Sequence, residues 1–320
     1  MDIRYIPTLF GLLKAETLTE LSAGHINKTF LAECNGERYV LQSVNRAVFC
    51  SPVTVMDNIS RIESAFAEYD EPEIAVPHFI AAGDKNYAVA DGEVWRMYRY
   101  ISATADAAVS TAAAGRAFGS FIRIMDGCDV NVAPVIENFH DFDSYFSVLT
   151  SKSGIDRNIM AKLHRLRDTL EQFFAGELKK RVIHGDAKPD NIIFSERATI
   201  IDLDTVMYGH AAIDYGDLVR SVCRSRDTAI DDIKELTKGF SQGLGGILGD
   251  DEINSLYYGI LWITGELAVR YLIDYRSEVK YFRGKSSTDC LARAEELLSR
   301  LDFFSAHGEE IRDMILSYFR

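Results

Sequence analysis

Residues 182–205 read VIHGDAKPDNIIFSERATIIDLDT. Val182-Ile183 and Ile192-Ile193-Phe194 are apolar runs on either side of a loop that carries Asp186 and Asn191. A short turn leads to a third buried strand, which ends in Asp202 and Asp204. Transfer of a phosphoryl group from ATP needs a base at the attacking hydroxyl and oxygen ligands for Mg²⁺ on the phosphates. Asp186 is the candidate base, suited to accept the hydroxyl proton. A loop aspartate that merely caps nearby N–H groups is the plainer alternative, and the spacing of Asn191 and Asp202 weighs against it. Asn191 offers a metal a neutral oxygen and Asp202 a charged one, a set suited to a hard cation that keeps several waters. Asp204 reads either as a second metal ligand or as a turn former. His184 reads as structural, donating to a backbone carbonyl and fixing the loop. Lys188 is either a point charge for the transferring phosphoryl or a solvated lysine on the turn set by Pro189, and the D-x-K-P-x-N spacing favours the first.

Outward from this stretch, residues 1–101 are strand-rich. Leu18–Ala23, Thr29–Cys34 and Arg38–Val44 read as strands, with Asn35-Gly36 as a tight hairpin turn. Val53–Tyr69 reads as a helix, with Val55, Ile59, Ile62 and Phe66 at helical spacing. Tyr87–Ala90 and Val94–Ile101 form a second hairpin across Asp91-Gly92. Residues 102–320 are mainly helical, with helices expected at 107–125, 142–149, 157–176, 212–223, 228–242, 252–275, 288–303 and 309–318. The pattern predicts an α+β, bilobal, protein-kinase-like fold. Residues 1–101 form a small antiparallel-sheet N-lobe with one helix, and 102–320 a larger helical C-lobe holding the catalytic loop, metal site and substrate helices. The cleft expected between lobes is the natural ligand site.

Within the N-lobe, Leu21–Thr29 occupies the first strand-to-strand turn, where phosphates would lie under backbone N–H groups. It holds one glycine, Gly24, so it is no G-x-G-x-x-G loop. His25 and Asn27 would point into the cleft. The third strand, YVLQSV, carries Gln42 where a phosphate-binding lysine is expected. Either Lys188 with Mg²⁺ neutralises the triphosphate, or another cation does. Glu63 would be the partner of the missing lysine, or simply an exposed helical carboxylate. Gly243-Leu244-Gly245-Gly246 follows a helix instead of a strand and reads as an inter-helix turn. In Asp214-Tyr215-Gly216-Asp217, Asp217 favours the helix dipole and is the candidate brace behind the catalytic loop. Glu266, Arg270 and Asp274 recur every helical turn, which by spacing alone reads as a salt-bridged face, with a polar-aromatic wall made with Tyr271, Tyr275 and Tyr281 as the alternative.

Composition bounds the partners. The chain has 320 residues, 47% apolar and 26% charged, with a net charge of −13 and a pI near 5.0. That balance argues against nucleic acid and anionic membrane as partners. No run approaches the ~18 apolar residues of a membrane helix. The N-terminal stretch, broken by Pro7, makes a poor signal peptide. Five scattered cysteines (34, 50, 128, 223 and 290) form no C-x-x-C pair, so neither disulfides nor zinc are indicated. The expected location is cytoplasmic, and the oligomeric state is left open.

The HGDxKxxN…IDLD core resembles the aminoglycoside phosphotransferase and choline kinase superfamily. GHINKTF, YVLQSVN, VWRMYRYI, AFGSF, NFHDFDSYF, IIDLDTVMYG and the segment around Arg270 look like the N-acetylhexosamine 1-kinase family along most of the chain. That family also carries glutamine at the Gln42 position. The resemblance implies an ATP- and Mg²⁺-dependent kinase that phosphorylates the anomeric hydroxyl of N-acetylglucosamine or N-acetylgalactosamine. It places His25, Asp186, Arg270 and Tyr281 on the amino sugar. It also makes Trp95–Ile101, including Tyr98, Tyr100 and Ile101, the hinge whose backbone meets adenine. A kinase of another acceptor (aminoglycoside, choline, homoserine or methylthioribose) fits the core equally. A pseudokinase-type nucleotide-binding module is the reading from a different class, favoured by Gln42 and the single-glycine loop and opposed by Asp186, Asn191 and Asp202.

Overall fold

The computed structural model describes residues 1–21, 26–49, 51–69, 73–104, 110–174, 176–282 and 284–320. In chain order the first elements are β1 (Thr17–Glu20), β2 (Lys28–Cys34), β3 (Glu37–Ser43), α1 (Pro52–Tyr69), β4 (Ile74–Ala75), β5 (Ala88–Ala90) and β6 (Glu93–Arg99). Then come α2 (Thr111–Gly127), α3 (Phe142–Thr150), α4 (Arg157–Phe174), β7 (Arg181–Ile183), β8 (Ile192–Phe194), β9 (Ala198–Ile200) and β10 (Met207–Gly209). Five helices follow: α5 (Ala211–Val222), α6 (Ala229–Leu244), α7 (Asp250–Tyr275), α8 (Ser287–Ala306) and α9 (Gly308–Phe319). The described chain divides into two compact units. The first is Met1–Ala108, Gly127–Glu137 and Asn191–Met207, and the second is Val109–Asp126, Asn138–Asp190 and Tyr208–Arg320. Segments 127–137 and 191–207 therefore fall with the first unit, whereas the sequence division placed them after a boundary at 101. The cause at 191–207 is β9, which pairs in parallel with β4.

The first unit is built on an antiparallel sheet of order β1-β2-β3-β6-β5. Both of its predicted tight turns carry left-handed backbone at each central residue, Asn35 (φ 53°) with Gly36 (φ 74°) and Asp91 (φ 50°) with Gly92 (φ 78°). That geometry matches the right-handed twist of the strands it joins. Period-2 alternation sends Phe30, Ala32, Cys34, Tyr39, Leu41, Trp95 and Met97 into one core. A 3₁₀ segment, Ile3–Phe10, closes that core with Ile6 and Phe10. Sequence reading missed this segment, because Pro7 and a broken apolar pattern conceal it. On β6 the intervening residues Arg96 and Tyr98 face the opposite way, and both are buried.

In the second unit α7 is the central helix, packing against α3, α4, α5, α8 and α9. It shows almost no polar face, because neighbours cover most of its surface. Close approach of backbones sets the depth of two crossings. A Cβ on Gly259 of α7 would lie 1.9 Å from the Ala212 carbonyl oxygen of α5, and one on Gly216 of α5 would lie 2.2 Å from the Gly259 carbonyl oxygen. Likewise a Cβ on Gly239 of α6 would meet the Ala112 carbonyl oxygen at 1.9 Å, and one on Gly243 the Arg116 carbonyl oxygen at 2.2 Å. Gly243 thus belongs to a helix crossing, while Gly245 (φ 60°) and Gly246 (φ 83°) make the turn between α6 and α7. Among the described residues no helix is long and apolar enough to cross a membrane.

Gly259→Ala tests the α5–α7 crossing. Alanine gains up to about 1 kcal/mol of helix propensity, but a contact at 1.9 Å forces the helices apart. The expected result is a net destabilisation of roughly 1–3 kcal/mol, read by thermal or urea unfolding. An unchanged or raised stability would show that the crossing has room to spare.

Candidate active site

In the first unit, β8 and β9 form a hairpin in which Ile192 faces Ile200. The Ile201 N–H extends that pairing by one rung, donating to the Asn191 carbonyl oxygen at 2.9 Å. Asn191 and Asp202 are thereby held at the same end of one hairpin. Asp202 sits in left-handed backbone (φ 62°, ψ 49°) and opens the turn Leu203–Thr205. For a non-glycine residue that conformation costs on the order of 1 kcal/mol, and such strain concentrates at functional positions. One amide oxygen and one carboxylate at a single hairpin end form a hard-oxygen set that fits Mg²⁺.

Asp204 does not share that role. Arg96, 2% exposed, reaches both of its oxygens, Nη1 to Oδ1 and Nη2 to Oδ2 at 3.0 Å. Asn27 donates to Oδ2 at 2.6 Å. With the carboxylate only 1% exposed and engaged by a guanidinium and an amide, the second-ligand reading gives way to that of a turn residue with a counter-ion. Arg96 Nε also donates to Gln42 Oε1 at 2.9 Å, and Gln42 Nε2 donates to Thr29 Oγ1 at 3.1 Å. The positive charge that β3 lacks at Gln42 is therefore present on the same rung of the neighbouring strand, since Gln42 and Arg96 are paired across β3 and β6. Burial opposes ionisation of Arg96, and Asp204 outweighs it, holding the guanidinium charged.

Other first-unit expectations shift as well. Asn27 is turned inward, its Oδ1 accepting the Asn45 N–H at 3.0 Å. Glu63 accepts the Phe79 N–H at 2.9 Å and lies 3.0 Å from His78 Nδ1, so it ties down a loop and serves no lysine. Tyr98 is paired with Val40 in the sheet, and the Tyr100 N–H donates to the Arg38 carbonyl at 3.0 Å, so the strand remains engaged up to the residue before Ile101. Gly24 and His25 lie outside the described residues.

Removing Arg96 alone would strand a buried carboxylate. Arg96→Met is expected to destabilise the protein by about 3–5 kcal/mol, with much of the loss restored in Arg96→Met/Asp204→Leu. Urea unfolding of the two variants checks this, and equal losses in both would show that the pair contributes nothing through its charge.

In the second unit β7 runs into the catalytic loop. The His184 and Gly185 N–H groups donate to Asp214 Oδ2 and Oδ1 at 2.7 and 2.8 Å. Asp214 is fully buried at the start of α5, and burial pushes its carboxyl up to about 7 against the pull of those two donors. It is Asp214, and not Asp217, that braces the loop from behind. Asp217 instead accepts from Arg220 Nε at 2.7 Å. His184 is fully buried, with Phe118 and Phe121 edge-on to its ring. Its Nδ1 accepts the Asp186 N–H at 3.3 Å, so it fixes the loop as an acceptor. Asp186 Oδ2 receives Lys188 Nζ at 2.7 Å, and both side chains remain about 30% exposed.

A second anchor was invisible in the sequence. His140 Nε2 lies 2.7 Å from the Gly185 carbonyl oxygen, and its Nδ1 lies 3.2 Å from Glu266 Oε1. Both partners are acceptors, so the geometry calls for a doubly protonated ring. Burial opposes that charge, but Glu266 and the Gly185 carbonyl hold the imidazole above its ordinary value. Glu266 also receives Trp262 Nε1 at 3.2 Å and lies 3.8 Å from Arg270 Nη1. Arg270 sits among the rings of Tyr281 (4.8 Å), Tyr145 (5.3 Å) and Phe282 (5.7 Å). Asp274 places two of those rings, accepting the Tyr281 and Phe282 N–H groups at 3.0 and 2.8 Å. The three carboxylate and guanidinium positions on α7 are thus each committed inward, which a solvated salt-bridged face would not be. Arg270 and Tyr281 are brought together, as are Asp186 and Lys188.

The histidine makes a pH prediction with a fixed sign. With its pKa raised on folding, its stabilisation is complete below the ordinary histidine value of about 6.5 and is lost as pH rises through the raised value. Unfolding measured across that interval should show wild type losing stability relative to His140→Gln as pH increases. Parallel profiles would exclude a charged His140.

Residues 17–244 match the Phosphotransferase enzyme family. The fold is similar to that of a microcompartment-associated aminopropanol kinase (15% identity, 95% of this chain and 96% of that one covered, TM-score 0.71). It is also similar to a choline/ethanolamine kinase family protein from Mesorhizobium loti (16% identity, 95% and 92% covered, TM-score 0.66). A third similar fold is spectinomycin phosphotransferase in complex with ADP and spectinomycin (17% identity, 98% and 97% covered, TM-score 0.58). The small antiparallel sheet with a mostly helical remainder is the α+β, protein-kinase-like fold of these proteins. Matched over more than half its length, the chain belongs to the phosphotransferase enzyme family.

Proposed function

We propose that the protein transfers the γ-phosphoryl group of ATP to the anomeric hydroxyl of an N-acetylhexosamine. The observation that carries the acceptor class is the surroundings of Arg270. Tyr145, Tyr281 and Phe282 form the kind of aromatic box that binds a quaternary ammonium ligand, yet here the box holds the protein's own guanidinium. A cationic acceptor such as choline or an aminoglycoside would meet a fixed positive charge there. A neutral sugar would meet oriented N–H donors suited to hydroxyl and N-acetyl oxygens, with Tyr281 beside them as a stacking surface.

Asp186 accepts the proton of the attacking hydroxyl and holds its oxygen for in-line displacement. An anomeric hydroxyl is more acidic than an ordinary alcohol, so a carboxylate suffices as base. Lys188, held on Asp186 at 2.7 Å, is a positive charge at the reacting end. Asn191 and Asp202 are the residues to hold Mg²⁺, which neutralises charge on the phosphates when bound. The nucleotide role of Gly24, Gln42, Tyr98, Tyr100 and Ile101, and the sugar contact of His25, follow from the family resemblance and belong to the same proposal. Most of the acceleration would come from alignment and charge neutralisation, which such a rigidly braced loop favours.

ADP release measured with N-acetylglucosamine, N-acetylgalactosamine, choline, homoserine, methylthioribose and an aminoglycoside should be greatest with a hexosamine. Phosphorus NMR should place the new ester at the anomeric carbon. Asp186→Asn should cut turnover about 10²–10⁴-fold while ATP still binds. Faster transfer to a cationic acceptor would overturn the acceptor class, and near wild-type turnover of Asp186→Asn would overturn the role of the base.

A further inference from the structure

The second unit contains a cavity of about 350 Å³ that none of the Arg270 box residues lines. Its walls carry Lys188, Arg220, Arg224, Arg293 and Arg300, from the loop, the end of α5 and the middle of α8. Only two lining residues, Asp190 and Glu296, are acidic. In a chain of net charge −13, five cations against two acids around one half-open pocket is a local reversal of sign.

These cations are arranged, and their charge is only partly answered. Arg220 is held by Asp217 at 2.7 Å and has a side chain 14% exposed. Arg300 donates to the carbonyl oxygens of Arg220 and Cys223, which fixes it at the C-terminal end of α5. Arg293 is paired with Glu296 on its own helix, at the exposed rim, with 35% and 52% of the side chains accessible. The Arg224 backbone N–H donates to the Val222 carbonyl oxygen at 2.8 Å, while its exposed side chain has no hydrogen-bond or ion-pair partner among the described residues. Burial, followed by the nearby Arg220 and Arg293, pushes Arg300 below the ordinary arginine value. A carbonyl-anchored guanidinium pressed by two others is an unfinished electrostatic arrangement. An anion of high charge density would complete it, and guanidinium forks match the oxygen spacing of a phosphoryl group.

We infer that this cavity is a binding site for a phosphate dianion, either inorganic phosphate or the phosphoryl group of a small phosphate monoester. The inference goes beyond the hexosamine reading and does not rest on it, since it concerns binding by residues outside the Arg270 box. The site lies close to the chemistry, because Lys188 stands both in its wall and on Asp186.

Calorimetric titration of the full chain with inorganic phosphate, and separately with glucose 6-phosphate, tests it. The wild type should bind at least one of the two, with affinity falling as salt rises. Arg224→Gln, a change at an exposed side chain, should weaken binding several-fold. Arg224→Gln/Arg293→Gln should weaken it at least about tenfold, with an unchanged far-ultraviolet spectrum. Equal affinity for both ligands would identify free phosphate as the occupant, and tighter binding of the ester a phosphorylated metabolite. Binding of neither ligand at millimolar concentration, or binding unchanged in both variants, would overturn the assignment.

Discussion

A carboxylate that water does not reach, Asp214, accepts two consecutive backbone N–H groups from His184 and Gly185, and the shape of the catalytic loop depends on it. Buried N–H groups left without partners cost roughly 1–3 kcal/mol each, so the loop is bound to follow the position of α5. Helix α5 in turn lies at a depth set by Gly216 and Gly259, where no side chain stands between it and α7. Gly185 adds the one backbone conformation (φ 77°) that lets the chain turn after His184 and present Asp186 outward. A glycine contact in a helix crossing, a buried acid and a left-handed turn thus act in series. Their product is a partly exposed carboxylate on a rigid base. Rigidity of this kind suits phosphoryl transfer, where alignment supplies much of the rate.

The same economy of buried charge governs the rest. Among the described residues of the first unit, Arg96 and Asp204 neutralise each other with Gln42, Asn27 and Thr29 completing the hydrogen bonds. In the second, Glu266 gathers His140, Trp262 and Arg270 onto one carboxylate. Neither arrangement is a good source of stability, since a well-packed apolar substitute often does as well. What each supplies is position. Arg96 links β6 to the turn after Asp202, and His140 links the Gly185 carbonyl to the helix that carries Arg270. The glutamine on β3 is intelligible in this light. A lysine there would bring a second cation beside Arg96 with no added acid to meet it.

How much of this could be read from the sequence follows from range. The strand–loop–strand core, both hairpins and every long helix are local patterns, expressed within a few residues, and the structure places them with ends moved by a few residues. The networks are not local. Arg96 and Asp204 are 108 positions apart, and His140 and Glu266 are 126 apart. Nothing in either neighbourhood announces the other. Asp214 and Asp217 show the limit inside one helix. Both lie near the same end of α5, and dipole arguments favour either. Only the packing shows which one points at the loop and which at Arg220. A usable signal existed for Arg96, a charged residue at an otherwise apolar strand centre on the rung of Gln42. The run of glycines in α6 was legible as a turn but not as a crossing, because close approach depends on what α2 places opposite.

Charge placement gives the deepest argument about the acceptor. A cationic acceptor needs a site that attracts positive charge, and an acidic chain could supply it anywhere on its surface. Here the second unit does the reverse. Around Asp186 it keeps Lys188 in contact and Arg220 close enough to feel its charge, and it fills the aromatic box with Arg270. Each of these cations is held by acids or rings that a passing ligand cannot easily displace. These cations are therefore fixed in place, each with an acid of the protein beside it, while the protein as a whole is negative. Fixed cations of this kind disfavour ammonium groups, tolerate neutral hydroxyls and favour groups that become anionic as a phosphoryl transfer proceeds. On the proposed function, the sugar hydroxyl that gives its proton to Asp186 would be one such group.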